Sequence, residues 1–413
     1  MKTSPFIPLL LVSLAAAGAA RAADSFTLTV TNDLAIARPA ETIVIPFGEV
    51  KSRLPAVRFD QIVVKDAAGQ IIPAQITSFH HVHKGPPHYD DLIFQHDFAA
   101  GEKSASFTVA LSDQPVPPFP QKANVRYIPE RYDDVAWEND KIGHRIYGPG
   151  LELPTATKDQ ATCSGIDVWS KRVPYMIIDH WYHKGHDGLH TDTGEGLDMY
   201  DVNTYRGCGG TGIWDGKELH VSRNWRTEMV YANGPVRAVF DLGYEPWDGG
   251  INGALDNGFM VAEKKHFVID AGHNLDEIES TFDFKGSRNH NDGEITVAIG
   301  LTKHSPKVKF TPAQDETGPA PWMSIWEEYP DPADGHLGTA IILAPGTHFA
   351  GILETAHDRL ILVKVKSGEP VRYYAGAGWN KSGDFSSNAD WVAYLAACAQ
   401  RLASPVKVML PPL

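Results

Sequence analysis

Three cysteines in 413 residues exclude a disulfide scaffold. Cys163, Cys208 and Cys398 could form at most one bridge, and no pair has metal-ligand spacing. Basic residues are also short: 37 Lys and Arg against 51 Asp and Glu give a net charge of -14. No Lys/Arg cluster relieves that balance, so nucleic acid is excluded as a partner, because its phosphates would be repelled. Beyond the first twenty residues no apolar run approaches the ~18 that a membrane-crossing helix needs. There is no Gly-x-Ser-x-Gly elbow, no Walker loop, no His-Glu-x-x-His and no EF-hand pattern. The glycine-rich stretch Gly207–Gly212 lacks the Lys-Ser/Thr of a phosphate loop and a following helix. Helical periodicity is scarce until the C-terminus.

What is present suits strands and turns. The chain is 43% hydrophobic, with 37 Gly, 29 Pro, 10 Trp, 14 Tyr and 17 Phe. Lys2, the apolar run Phe6–Ala20 and Ala20-Arg21-Ala22 form a secretory leader, with cleavage expected after Ala22 or Ala23. Residues 1–23 are therefore read as signal peptide, and the protein as exported to the periplasm. Residues 24–120 alternate in short segments, Phe26–Val30, Thr42–Ile45, Gln61–Val64 and Ser106–Leu111, punctuated by Gly69, Pro73 and Gly101. That pattern predicts a small β-sandwich. Gln114–Pro120 reads as a stiff linker. Residues 121–413 continue as strands at Arg237–Leu242, Lys264–Ile269, Asp276–Phe284, Glu294–Ile299, Thr339–Ala344 and Leu360–Lys366. One helix is expected, over Ala389–Leu402, capped by Ser387 with Asp390 and stopped by Pro405. Trp391, Leu395, Cys398 and Leu402 fall on one of its faces, which makes Cys398 a packing residue.

Four polar segments could carry chemistry. Ile178–Tyr200 holds His180, His183, His186, His190, Asp192, Glu195 and Asp198 among Trp181, Tyr182 and Tyr200. Its glycines predict an ordered loop or loop-strand-loop, and its imidazoles and carboxylates suit general acid–base work. Asp192 and Asp198 are the candidate metal ligands, with calcium the preferred ion, although the spacing matches no known ligand set. In Trp137–Gly150 a regular strand puts His144 and Arg145 on opposite faces, and Arg145 suits clamping a carboxylate. Ser222–Glu228 offers Arg223 and Arg226 beside Trp225, a sugar-acid shelf or a plain stacking arrangement. In Ala375–Asp384 glycines allow a close backbone approach, with Trp379 and Lys381 as a cleft wall; a tight hairpin is the alternative. His80, His81, His83 and His88 read as a surface loop, and Glu277 with Glu279 as paired carboxylates on one strand face.

Several of these motifs together resemble a family of exported bacterial proteins filed as a domain of unknown function. They are Val30-Thr-Asn-Asp-Leu with Glu41–Ile45, Trp137-Glu-Asn-Asp with Tyr147-Gly-Pro, Asp167–Tyr175, His190-x-Asp-x-Gly-Glu-Gly-Leu-Asp-x-Tyr200, Arg206-Gly-Cys-Gly-Gly210 and Gly376–Gly383. The family resembles the galactose-mutarotase-like group. The resemblance implies an all-β fold: a small N-terminal β-sandwich, a large antiparallel β-supersandwich and one C-terminal helix. It also implies a carbohydrate substrate of the pectin or uronate-glycan type, without fixing a reaction.

The expected activity is cleavage of uronate-containing oligosaccharides, β-elimination slightly ahead of hydrolysis. The catalytic candidates are His144 or His190 as base, Tyr200 or Tyr182 as acid, and Glu195. Arg145, Tyr182, Arg226, Trp379 and Lys381 would bind substrate. Hydrolysis would instead use Asp192, Glu195 and Asp198. A mutarotase-like isomerase and a glycan-binding protein without turnover are the other readings. No cofactor signature is present apart from the calcium alternative, and the oligomeric state is left open.

Overall fold

The computed structural model describes residues 24–79, 89–116, 118–154, 163–250, 259–284, 293–304 and 318–413. The leader at 1–23 and the histidines at 80, 81, 83 and 88 lie outside the described residues. The chain is built from antiparallel sheets, as the alternating apolar pattern requires. Each strand predicted from alternation is found within a few residues of its expected bounds. Phe26–Val30 becomes Ser25–Thr31, and Lys264–Ile269 becomes Met260–Asp270.

Two sheets form the N-terminal sandwich. One orders strands Ser25–Thr31, Ser104–Leu111, Ile62–Lys65 and Ile71–Ile72, and the other orders Arg38–Pro46, Asp91–Phe98 and Ala74–Thr77. Their inward residues, Leu28, Val30, Ile43, Phe94, Phe107 and Val109 among them, make one apolar core. The sandwich is not closed by residues 24–120 alone. The chain returns at its far end, and strand Lys407–Met409 pairs with Ser25–Thr31 at the sheet edge. The first sheet thus takes strands from both ends of the described chain.

The larger unit is a sandwich of three sheets around one core. A seven-stranded sheet runs in the order Thr227–Ala232, Arg237–Asp248, Met260–Asp270, Leu275–Phe284, Pro370–Trp379, His336–Leu343 and Trp322–Glu328. Facing it are a five-stranded sheet on Cys208–Trp214, Glu294–Thr302 and Asp358–Lys366, and a second five-stranded sheet. The second orders Gly196–Leu197, Ile166–Lys171, Gly143–Ile146, Asp134–Asn139 and Ala123–Ile128. Residues from all three sheets meet in the main core, including Trp137, Val168, Phe240, Phe267, Ile278, Ile299, Ile341 and Tyr373.

Each outer face of this sandwich carries a helix where its own side chains are apolar. The C-terminal helix Asn388–Ala403 is capped by the Ser387 side chain, which accepts from Asp390 N, as its sequence predicts. Trp391, Leu395 and Cys398 face inward from it, against Trp322, Trp326 and Ile342. Glycine makes the docking site: Gly338 and Gly378 are cross-strand partners, and a Cβ on either would come within 2.7 Å of the Trp391 ring. Of the glycines of 375–383, Gly378 therefore admits an indole of the same chain from inside a strand, while Gly376 admits the Asn274 carbonyl. All three cysteines are buried free thiols.

The second helical cover departs from expectation. Residues 178–189 are two helical turns, Ile178–His183 and Gly185–Leu189, separated where Gly185 takes φ 73. The glycines forbid one long helix, as anticipated, yet leave room for two short ones. Ile177, Ile178, Trp181 and Leu189 pack onto Trp169 and Ala136 of the sheet beneath.

The glycine groove gives a direct stability prediction. Replacing Trp391 with Ala empties it, and the loss should be about 3–5 kcal/mol, typical of a fully buried large aromatic. Equilibrium denaturation should show a lower midpoint at unchanged slope.

A candidate site built on a short helix and its sheet

Strand alternation separates His144 from Arg145. His144 turns into the main core, stacked on Trp137 at 5.4 Å, with Nδ1 hydrogen-bonded to Asp167 O at 2.9 Å. Its Nε2 lies 3.6 Å from Asp276 Oδ2, which also accepts from Trp137 Nε1 at 2.7 Å. Burial lowers His144 to about 4 and pushes Asp276 up to about 7, so both are uncharged between those two values. His144 is sealed in the core and cannot meet a substrate there, whatever its residue type suggests.

Arg145 turns to the opposite face, beneath the short helices. Asp167 sits directly across from it in register and accepts from Nε at 3.0 Å and Nη2 at 2.5 Å. Asp198 Oδ2 is 3.3 Å away, and the guanidinium lies 4.8 Å from the Tyr147 ring centre and 5.6 Å from that of Trp169. Arg145 is thus consumed by internal carboxylates and does not clamp an external one. Burial raises Asp134 to about 7, and it raises Asp167 and Asp198 against the pull of Arg145. Arg131 adds a second positive charge nearby, and the three acids still outnumber the cations. Asp167 makes the two shortest bonds to the Arg145 guanidinium. Tyr182 puts its hydroxyl into the same buried layer, and burial raises it well above the ordinary tyrosine range. Tyr200 is likewise buried, its ring 4.4 Å from His304, which pairs with Glu327 at 2.5 Å.

Above this layer lies a surface cluster centred on Glu195. The two-residue strand Gly196–Leu197 pairs with Ser170 and Lys171, which brings Glu195 beside Arg172. Its carboxylate accepts from Tyr175 Oη at 2.7 Å, His180 Nε2 at 2.9 Å, Trp181 Nε1 at 3.2 Å and Lys184 Nζ at 2.6 Å. Burial alone would raise Glu195, but bonds from Lys184, Tyr175, His180 and Trp181 outweigh it and hold the carboxyl at about 2. Tyr175 is 51% exposed and the His180 side chain 43%, so both groups are open to a ligand.

The cluster continues sideways. Asp192 is bonded by Arg172 and lies 4.0 Å from Lys381 Nζ. Arg172 and Lys381 stand over the Trp379 ring at 4.8 and 5.6 Å, and Trp379 Nε1 donates to Asp334 O at 2.7 Å. Glu195, Asp192 and Lys381 therefore share one surface, whereas Trp379 is 1% exposed, a core residue covered by Arg172 and Lys381, and forms no cleft wall. His190 turns back to the Asp198 carbonyl. Arg226 belongs to a separate edge, bonded to Glu152 at 2.6 Å together with Arg223.

The metal assignment does not survive this placement. Asp192 and Asp198 each go to a different guanidinium, and among the described residues no three His, Cys, Asp or Glu side chains group as metal ligands.

Sequence reasoning passed over Arg172, Tyr175, Lys184 and Asp334. A signal for the first two existed: both lie in Asp167–Tyr175, a motif that carried the family resemblance. Glu138, which the sequence offers as an ion-pair partner for Arg145, pairs with Lys171 instead. It accepts from Lys171 Nζ at 2.6 Å and from Ile177 N and Ile178 N at 2.7 and 2.9 Å, so it anchors the helix that carries His180.

The comparisons with known proteins agree with the motifs. The chain belongs to the family described as a domain of unknown function (DUF4861), whose profile matches residues 30–408. A relative from Formosa agariphila, "Uncharacterized protein P7", is 31% identical over 398 residues, covering 93% of each chain. Among solved structures, a protein in glycosyl hydrolase family 38 from Enterococcus faecalis aligns at TM-score 0.49 and 10% identity. An alpha-mannosidase from Enterococcus faecalis V583 aligns at 0.48 and 9%. Both alignments cover 94% of this chain but 48% and 46% of those proteins, so the chain spans about half their length.

Two carboxyls should respond to pH in opposite senses. Glu195 is depressed from 4.5 to about 2, so its contribution is present above pH 4.5 and lost as pH falls through 2. Glu195→Gln should lower Tm at pH 7, with the gap closing in acid. Asp276 is raised from 3.8 to about 7, so its neutral form favours the fold below 3.8 and that benefit is lost as pH rises through 7. Asp276→Asn should raise Tm at pH 8 and lose this advantage by pH 4. Calorimetry across that range checks both.

Proposed function

We propose that the protein is an exported carbohydrate-active enzyme that cleaves uronate-containing glycans by β-elimination at the Glu195 surface. The observation that carries this reading is one carboxylate holding an imidazole and a phenol side by side. His180 and Tyr175 both bond Glu195, and their ring centres are 6.3 Å apart.

Elimination needs a base for the C5 proton, an acid for the leaving oxygen and neutralisation of the sugar carboxylate. With His180 Nε2–H donating to Glu195, the lone pair is on Nδ1, where it can accept a proton. Tyr175 keeps its proton, because its bond to Glu195 raises it above the ordinary tyrosine range. It is therefore the donor. Arg172, Lys184 and Lys381 supply positive charge beside the pair. Glu195 is a positioning residue in this scheme. Hydrolysis is disfavoured by the same geometry: it needs one protonated carboxyl, and Glu195 is held at about 2 while Asp192 is bound to Arg172. The association of the galactose-mutarotase-like group with pectin-type glycans, implied by the motif resemblance, points to the same substrates. Export to the periplasm follows from the leader sequence at residues 1–23.

On uronate oligosaccharides the enzyme should generate the ultraviolet absorbance of an unsaturated uronate. His180→Ala and Tyr175→Phe should each reduce kcat by about 10²-fold or more, the usual worth of a general acid or base. Glu195→Gln should shift the pH–rate profile as well as lower kcat. New reducing ends without that absorbance would mean hydrolysis, and binding without turnover would mean a glycan-binding protein.

A further inference from the structure

A cavity of about 550 Å³ lies where the N-terminal sandwich, the seven-stranded sheet and the end of the C-terminal helix meet. Its walls carry Glu41, Arg237, Asp270, Glu277, Arg372 and Arg401. Each of the three acids has a guanidinium of its own. Asp270 takes two bonds from Arg237, at 2.6 and 2.7 Å. Glu277 lies 3.2 Å from Arg372, and Glu41 lies 3.2 Å from Arg38. Arg401 has no carboxylate within bonding distance among the described residues. It donates to Pro39 O at 3.2 Å and to the Cys398 sulfur at 3.4 Å, and its Nε makes no hydrogen bond. A thiol is a weak acceptor for a guanidinium, whose planar fork matches a carboxylate.

The rest of the wall mixes Val268, Leu275, Pro345 and Leu402 with two phenols: Tyr374 Oη donates to Glu277 and Tyr394 Oη accepts from Asn274 N, which leaves each oxygen a lone pair for a ligand hydroxyl. His273 lines it too, and burial keeps it neutral. The volume is within the range of small-molecule sites and far below that of a polymer groove.

We propose that this cavity binds a small hydroxylated carboxylate of monosaccharide size, with Arg401 as the carboxylate receptor. The site is distinct from the Glu195 surface. The inference does not depend on the elimination reading, since it uses none of the same side chains.

The test is calorimetric titration of the intact protein with glucuronate, glucose and sodium sulfate, on wild type, Arg401→Gln, Arg401→Lys and His180→Ala. Glucuronate should bind the wild type and His180→Ala alike, and at least tenfold more weakly to Arg401→Gln. Arg401→Lys should fall between, because it keeps the charge but loses the fork; it also serves if the Gln variant does not fold. Glucose should not bind. No glucuronate binding to wild type, or equal binding to Arg401→Gln or Arg401→Lys, overturns the proposal. Sulfate binding as tight as glucuronate overturns the assignment to a hydroxylated carboxylate. Loss of binding in His180→Ala would place the ligand at the Glu195 surface and overturn it too.

Discussion

The Glu138 carboxylate is the point on which the rest of the candidate site depends. It is buried in a strand, where an unpaired charge would be prohibitive. Lys171 from two strands away neutralises it, and the first backbone N–H groups of the short helix bond it directly. A buried anion at a helix N-terminus satisfies orphan donors and favours the helix dipole. A six-residue helix has little stability of its own, so this anchor and the Trp169 contact fix it to the sheet. His180, Trp181, Tyr182 and Lys184 inherit their positions from that attachment.

The same region shows two electrostatic regimes separated by one layer of aromatic side chains. Below Trp169 and Trp181, acids outnumber cations around Arg145, and burial raises the carboxyls. Above them, several donors hold Glu195 well below the usual carboxylate range. The difference is one of environment, because aspartate and glutamate have nearly the same intrinsic acidity. Chemistry that needs an open imidazole and phenol belongs to the upper layer. The lower layer specifies how strand, helix and loop fit together.

The two sandwiches are joined by more than their linker. The C-terminal helix packs on the larger unit through Trp391, then passes its end to the smaller one, where Lys407–Met409 completes a sheet. Arg38 accentuates this closure by donating to the Ser404 carbonyl from the N-terminal side. The cavity lined by Arg401 lies at that seam. A ligand there would touch both units at once.

Alternation and punctuation along the chain determined the β class, most strand positions, the helix with its Ser387 cap and the packing role of Cys398. These are local properties: period, turn residues and capping chemistry act over a few residues. Alternation also determined that His144 and Arg145 point apart. Only the tertiary structure decided which of those two faces was core, and neither proved open. Residue type cannot show whether Arg145 has Asp167 opposite it in register, or whether four donors converge on Glu195, because those partners are set by strand pairing and by where a helix docks. The pairing of Asp192 with Arg172 instead of with Asp198 is decided in the same way, by long-range geometry that no spacing within the segment encodes.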